Sequence, residues 1–152
     1  MFALENINAN EEIEVAFLLK GIRNINIKTA ILLGLCFYTL IILIHTLVIS
    51  GILPYTWVNG GRSESFEAQI KISFISIIIS IMGGLFTIFA GENKAVRFKR
   101  SVAVLSRFIV VLCFLGFIQQ LLGTTFEKLV CSFIVLLGII SNLRLAVETR
   151  RL

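Results

Sequence analysis

The chain has few charged residues for its length. Asp, Glu, Lys and Arg make up 15% of its 152 residues, whereas soluble domains average about 25%. Hydrophobic residues make up 57%, and the mean hydropathy is +0.96. A water-soluble fold of this size would have too few charged groups to cover its surface. The composition therefore argues against an ordinary soluble domain and indicates an integral membrane protein.

Metal-binding and redox signatures are also missing. The three cysteines, Cys36, Cys113 and Cys131, lie in apolar runs, and none belongs to the C-x-x-C pair of zinc sites or thioredoxin-like proteins. The single histidine, His45, cannot form a usual zinc site without two carboxylates. No nucleophile motif or phosphate-binding loop accompanies it. We therefore predict no metal and no cofactor.

Four apolar runs are long enough to cross a membrane. A transmembrane helix needs about 20 mostly apolar residues, and the qualifying runs cover about 29–53, 68–90, 101–122 and 128–147. Backbone groups in hydrocarbon must be paired within their own segment, so we expect helices rather than strands. The sequence predicts an all-α polytopic membrane protein with a four-helix transmembrane bundle over residues 28–152.

Positive charges alternate along the chain in a way that predicts the topology. They concentrate before the first run, between the second and third, and after the fourth: Lys20, Arg23 and Lys28; Lys94, Arg97, Lys99 and Arg100; Arg144, Arg150 and Arg151. The other two connections hold only Arg62, Lys71 and Lys128. The positive-inside rule then places both termini in the cytoplasm, with LPYTWVNGGRSESFEAQ (53–69) and GTTFEK (123–128) facing outward. We predict two hairpins in the plasma membrane and no nucleic-acid partner, since topology explains the net charge of +5. Arg144 is expected to extend to the cytoplasmic headgroups.

Residues 1–27 are predicted to form a separate cytoplasmic segment with a short amphipathic helix. In NEEIEVAFLLKGIR, Asn10 can cap the helix, and the three Glu that follow suit the positive end of its dipole. Ile13, Ala16 and Phe17 form one apolar face. We expect this helix to lie on the cytoplasmic membrane surface, and a groove on a protein partner is the alternative.

The second and fourth runs begin alike, because SFEAQIKISFI and TFEKLVCSFI match with one gap. This similarity favours a repeat of two parallel hairpins. The second run also carries one face of small residues, which are Ser73, Ser76, Ser80, Gly83 and Thr87. Such a face lets membrane helices pack closely, although a polar pore lining is the alternative.

Polar residues gather at the predicted outer ends of the runs. His45 lies roughly two turns from Pro54, and Gln119 and Gln120 lie one turn inside the third run. Polar residues at membrane depth are costly and usually face the bundle interior. We predict a ligand-binding pocket open to the outside, floored by His45. Its candidate residues are His45, Tyr55, Trp57, Arg62, Glu67, Gln119, Gln120 and Glu127.

A purely structural interpretation accounts for many of the same residues. Pro54 ends or kinks the first helix, and the aromatic residues after it suit the membrane interface. The Asn-Gly-Gly stretch makes a turn that tolerates positive φ. Thr124 and Glu127 have the S/T-x-x-E spacing of a capping box, so Glu127 could act only as a cap.

The quoted motifs also resemble those of a known group. PYTWVNGGR followed by FE, then TTFEK, then RL near the end of the last run is similar to the pattern of small uncharacterised bacterial four-helix membrane proteins. Those proteins carry a Pro-Tyr to Gly-Gly-Arg outer loop and a T-x-F-E-K turn. The resemblance covers roughly residues 30–145 and implies the four-helix fold and the outward motif, but no activity.

Three classes of function fit this sequence. The first is a binding protein that holds a small amphipathic ligand, a membrane lipid or a partner membrane protein's helix at the outer leaflet, with Arg62 pairing an anionic group. The second is a small transporter or channel, working as a homo-oligomer with proton coupling through His45. The third and least favoured is an intramembrane enzyme that uses His45 with Glu67 or Glu127 as acid and base.

Overall fold

The computed structural model describes residues 20–91 and 99–148. Its four long helices are α1 (Ile27–Ile49), α2 (Phe66–Gly91), α3 (Lys99–Leu121) and α4 (Ser132–Glu148). A five-residue π-helical segment, Glu127–Cys131, leads directly into α4. All four helical segments are long and apolar enough to cross a membrane, so the predicted all-helical protein with four candidate spans is confirmed. The proposed N-terminal amphipathic helix falls mostly on residues 1–19, outside the described part.

The first helix ends earlier than the sequence predicted. Its last residue is Ile49 rather than a residue next to Pro54. The reason is Gly51, whose φ of +73° turns the chain out of the helix, a conformation that glycine adopts without steric penalty. The N–H groups of Ser50 and Leu53 still bond to carbonyls of the last helical turns, at 2.9 and 3.0 Å.

The connection between α1 and α2 contains two short 3-10 turns, Tyr55–Trp57 and Asn59–Gly61. All three residues of the second turn have positive φ, at 57°, 68° and 66°. This confirms the expected Asn-Gly-Gly turn. We call the end of the molecule that carries this connection, together with the α3–α4 connection, the loop end.

The helices pack around α1 and α4. Close interfaces join α1 to α2, α1 to α4 and α3 to α4. Within the described ranges, α2 and α3 have no comparable interface. The central cluster is formed by Phe37, Tyr38, Ile134 and Val135, so it belongs to α1 and α4. The four helices therefore form an open arrangement with a gap between α2 and α3.

Small residues permit the close approach of neighbouring helices. The Tyr38 ring lies against Gly83 so closely that a methyl group there would overlap it. Gly138 receives the Phe37 ring in the same way on α4. The small face predicted for α2 thus packs against α1, as expected for membrane helices.

Buried polar side chains hold the opposite end of the molecule together. The hydroxyl of Ser141 donates to the carbonyl of Ala30 at 2.7 Å. Arg144 is only 7% exposed, and its Nε donates to the carbonyl of Ile25 at 2.7 Å. The expectation that Arg144 extends to the headgroups is therefore wrong, because the chain before α1 offers a carbonyl within reach. These bonds tie α4 to the start of α1.

Candidate functional site

A buried carboxylate joins the two connections at the loop end. Glu127 is 6% exposed, and its two oxygens accept the backbone N–H of Gly60 at 2.9 and 3.0 Å. The backbone N–H of Thr124 also donates to it, at 2.9 Å. Gly60 and Glu127 lie 67 residues apart in the chain. One side chain thus holds the α1–α2 connection against the α3–α4 connection.

A hydroxyl and an aromatic pair complete this junction. Thr124 donates its side-chain hydroxyl to the carbonyl of Trp57 at 2.6 Å, and the rings of Trp57 and Phe126 lie 5.7 Å apart. We call the set Trp57, Gly60, Thr124, Phe126 and Glu127 the loop clasp. It includes the predicted capping box, since the N–H of Glu127 bonds the Thr124 hydroxyl at 3.3 Å. Glu127 therefore caps the last helix and joins the loops at once.

Next to the loop clasp lies a cavity of about 350 Å³. All four helical segments contribute to its wall. The apolar lining residues are Ile41, Ile44, Val58, Ile72, Ile79, Cys131, Ile134 and Val135. The polar ones are His45, Asn59, Gln69, Ser76, Ser80, Gln119, Gln120 and Glu127. Its volume falls within the range of about 300–1,000 Å³ typical of small-molecule sites.

The cavity coincides with the gap between α2 and α3. Ile79 of α2 lines it and is nevertheless 62% exposed. Gln119 of α3 lines it from the other side and is also exposed. The cavity is therefore open between these two helices, along the surface that contacts lipid if the helices span a membrane.

A chain of hydrogen bonds leads from the first loop to His45. Asn59 donates to the hydroxyl of Ser63 at 3.3 Å, and that hydroxyl donates to Oε1 of Gln69. The amide nitrogen of Gln69 donates to Ser73 Oγ at 3.3 Å, which lies 3.0 Å from Nδ1 of His45. These hydrogen bonds fix side chains of α2 and α1 against each other in the cavity wall.

This series of hydrogen bonds also sets the tautomer of His45. Ser73 Oγ accepts from Gln69, and among the described residues its own proton has no acceptor other than His45 Nδ1. Nδ1 therefore accepts, and a neutral ring then carries its proton on Nε2. His45 lines the cavity, so it offers one N–H there without a partner from the described residues.

Two further properties define the polar part of the cavity. Within the described part of the chain, the buried side-chain oxygen of Gln120 has no hydrogen-bond partner, although buried polar groups are normally paired. Glu127 is the only charged residue of the lining, and no described Lys or Arg lines it. The site combines an unpaired acceptor with an anionic group.

The structure brings half of the predicted site residues together. His45, Gln119, Gln120 and Glu127 all line the cavity. The other four lie outside its lining: Tyr55, Trp57, Arg62 and Glu67. Tyr55 packs near Phe66, with ring centroids 6.1 Å apart, and Arg62 is exposed with its side chain beside Gly60. Glu67 is exposed in the first turn of α2.

Sequence reasoning missed some cavity residues. Gln69 is completely buried and lines the cavity, but it was not singled out because it lies near a predicted helix end. Ser76 and Ser80, for which the sequence favours helix packing with a polar lining as the alternative, line the cavity. The spacing 69, 73, 76 and 80 places all these polar groups on one helical face, and this was the available signal.

Within residues 20–91 and 99–148, no cluster of His, Cys, Asp and Glu side chains is close enough to hold a metal ion. The site is therefore described by hydrogen-bonding groups and one carboxylate. Comparison with known proteins adds no further constraint, because no protein-family model, curated protein or solved structure matches the chain.

Proposed function

We propose that this protein binds a small amphipathic molecule in the cavity beside the loop clasp, at the extracytoplasmic side of the plasma membrane. The observation that carries the proposal is the cavity wall, which combines a polar cluster with isoleucine and valine side chains. Ligand sites are typically apolar with a few polar groups that fix orientation. A molecule with a polar head and an apolar tail satisfies both parts of this wall.

The proposed orientation rests on the distribution of Lys and Arg. Cations are concentrated in segments expected to connect at the end opposite the loop end, so the loop end faces outward by the positive-inside rule. The contact between Gly60 and Glu127 supports two hairpins of the same orientation, because it requires both connections to be on the same side. Similarity to the bacterial four-helix group is part of the same proposal.

The open side of the cavity supports access from the membrane. Ile79 and Gln119 border a gap that would face lipid. An amphipathic molecule in the outer leaflet could enter by moving laterally, keeping its tail in hydrocarbon throughout. Binding then requires no passage of the tail through water, which would cost about 0.8 kcal/mol per exposed CH₂ group.

Binding is favoured over transport by the packing of the opposite half. The cavity lining extends from Val58 to Ile41 on the α1 side. Beyond it, Gly34 is in close contact with Thr87 and Ser141. A pathway for transport would have to cross this packed region or form between copies of the chain, so transport is the second proposal.

Native mass spectrometry of the protein, extracted gently with its own lipids, tests the binding proposal. Gly116 lines the cavity, and a Cβ there would meet no atom within 4 Å, so Gly116→Leu should fill the cavity without disturbing the packing. The control is Val111→Leu on the lipid-exposed surface of the same helix. We expect a co-purified small molecule in the wild type and in Val111→Leu, and its loss in Gly116→Leu.

Arg62→Ala distinguishes the cavity from the exposed loop. Arg62 lies outside the cavity lining, so its removal should leave the bound molecule in place. Loss of the molecule in Arg62→Ala with retention in Gly116→Leu would place binding at the loop instead. Absence of any bound molecule from all four proteins would contradict the binding proposal and direct attention to protein partners.

A further inference from the structure

The polar part of the cavity is suited to a head group of one particular charge. We infer that the ligand of this cavity carries a protonated amine, that is, a cationic head group that also donates hydrogen bonds. This inference rests on the proposed binding function and specifies its ligand class. It differs from the sequence-based expectation of an anionic ligand held by Arg62.

The charge of the cavity wall supports a cation. Glu127 is buried and is held by the backbone N–H groups of Gly60 and Thr124. These donors are neutral, so they satisfy its hydrogen bonds without balancing its charge. An isolated charge in a low-dielectric setting favours a counter-charge nearby. Arg62 forms no ion pair with Glu127 in the described structure, so the cavity is where such a counter-charge can bind.

The hydrogen-bonding groups of the cavity indicate a ligand head group that donates hydrogen bonds. The side-chain oxygen of Gln120 is buried without a hydrogen-bond partner among the described residues, and Gln120 and Glu127 both line the cavity. An ammonium group has three donors and no acceptor, so it matches a lining to which Glu127 and Gln120 contribute acceptor groups. A quaternary ammonium carries the charge but cannot donate. The other polar lining groups, including the N–H of His45, are uncharged and can accommodate a neighbouring hydroxyl or carbonyl of the ligand.

The apolar part of the cavity indicates a hydrocarbon tail. Ile72 and Ile79 line the open side on α2, and Ile134 and Val135 line the floor on α4. A charged amine without a tail would leave this surface unfilled. The expected ligand is thus a long-chain amine that reaches the cavity from the outer leaflet, with its nitrogen beside Glu127 and Gln120.

Four amphiphiles with one chain length test the inference on the full-length protein. Dodecylammonium supplies a positive charge and hydrogen-bond donors, whereas dodecyltrimethylammonium supplies the positive charge without a donor. Dodecanol supplies a donor without a charge, and dodecanoate supplies a negative charge. Binding is measured in nanodiscs of zwitterionic phosphatidylcholine, with empty nanodiscs as the correction for partitioning. We expect saturable binding of dodecylammonium, at least about tenfold tighter than binding of dodecanol or dodecanoate, with dodecyltrimethylammonium in between.

Two variants assign this preference to the cavity. Gln120→Leu removes one acceptor and leaves the loop clasp intact. It should therefore weaken the binding of dodecylammonium and leave the affinity for dodecyltrimethylammonium unchanged. Glu127→Gln should reduce the affinity for dodecylammonium to that for dodecanol. Glu67→Gln is the matched control, because Glu67 is the exposed glutamate at the start of α2, and it should change nothing.

The possible outcomes separate this inference from the proposed function. If all four amphiphiles bind with equal affinity and Gly116→Leu abolishes this binding, the inferred amine head group is wrong but the cavity remains a binding site. Tightest binding of dodecanoate, lost in Arg62→Ala, would also overturn it. If no amphiphile binds saturably, or if Gly116→Leu changes no affinity, the proposed function itself fails.

Discussion

Replacing Glu127 by Gln should loosen the loop clasp while the four helices remain folded. The carboxylate accepts the N–H groups of Gly60 and Thr124, at 2.9–3.0 Å. A glutamine has one oxygen and one NH₂ group, so it can accept only part of this set. Its oxygen can keep the bonds made by Oε2 only by placing the NH₂ group where Oε1 accepts the Gly60 N–H, so two donors would face each other and that bond would be lost.

The expected magnitude follows from the number of bonds lost. Hydrogen bonds to charged groups contribute about 1.5–3 kcal/mol each, and an unpaired buried donor costs about 1–3 kcal/mol. Because Glu127 is 6% exposed, solvent screening reduces these values little. Loss of one bond should therefore lower the free energy of opening of the loop clasp by about 2–3 kcal/mol.

Hydrogen exchange at the Gly60 amide measures this change directly. A loss of about 2–3 kcal/mol corresponds to exchange roughly 30- to 150-fold faster, since 1.4 kcal/mol is a factor of ten. Trp57 is the only tryptophan of the chain, so its quenching by acrylamide gives a second readout of the same junction. Circular dichroism should show that helix content is unchanged.

Glu67→Gln provides the control, because it makes the same chemical change at an exposed position outside the loop clasp. Gly60 exchange should remain at the wild-type rate in that variant. Equal acceleration in both variants would mean that net charge, rather than the bonds to Glu127, controls the loop. No acceleration in Glu127→Gln would refute the junction described here.

Three further predictions concern helix packing, the histidine and the end of the first helix. Gly83→Ala should lower stability against denaturing detergent by about 1–3 kcal/mol, because the added methyl group overlaps the Tyr38 ring of α1. Gly84→Ala is the control and should leave stability unchanged, since the nearest atom to its added methyl group is 3.9 Å away. Selective ¹⁵N labelling of His45, the only histidine, should show a proton on Nε2 in the wild type and a mixture of tautomers in Ser73→Ala; a mixture in both would contradict the assigned hydrogen-bond direction. Gly51→Ala should destabilise the protein by roughly 1–2 kcal/mol through its positive φ in the same detergent assay, even though the space around it is open, and an unchanged midpoint would show that the turn relaxes.

The helices could be predicted from the sequence because hydrocarbon imposes a simple requirement of length and polarity. Their ends depended on local geometry, and Gly51 rather than the more conspicuous Pro54 ended α1. The capping box was visible as a spacing of three residues between Thr124 and Glu127. The contact of Glu127 with Gly60 was not visible, because no local rule connects residues 67 positions apart.

The candidate site was predictable only in part for a similar reason. The positions of His45 and Gln120 within their apolar runs could be counted along each helix, and both line the cavity. The cavity itself exists because α2 and α3 do not pack against each other, and this depends on side chains of all four helices together. Trp57 was expected beside a ligand, but it packs against Phe126, since the loop folds onto the last helix.

The long separation between Gly60 and Glu127 also orders the folding of the protein in time. At a synthesis rate of about 5–20 residues per second, roughly 3–13 s pass between the making of Gly60 and the making of Glu127, which is 67 residues later. During this interval the N–H of Gly60 lacks the Glu127 carboxylate that accepts it in the folded protein. The contacts of the first loop with Glu127 can form only once the start of the last helical segment has been synthesised, so the junction requires the first three helices to have been made.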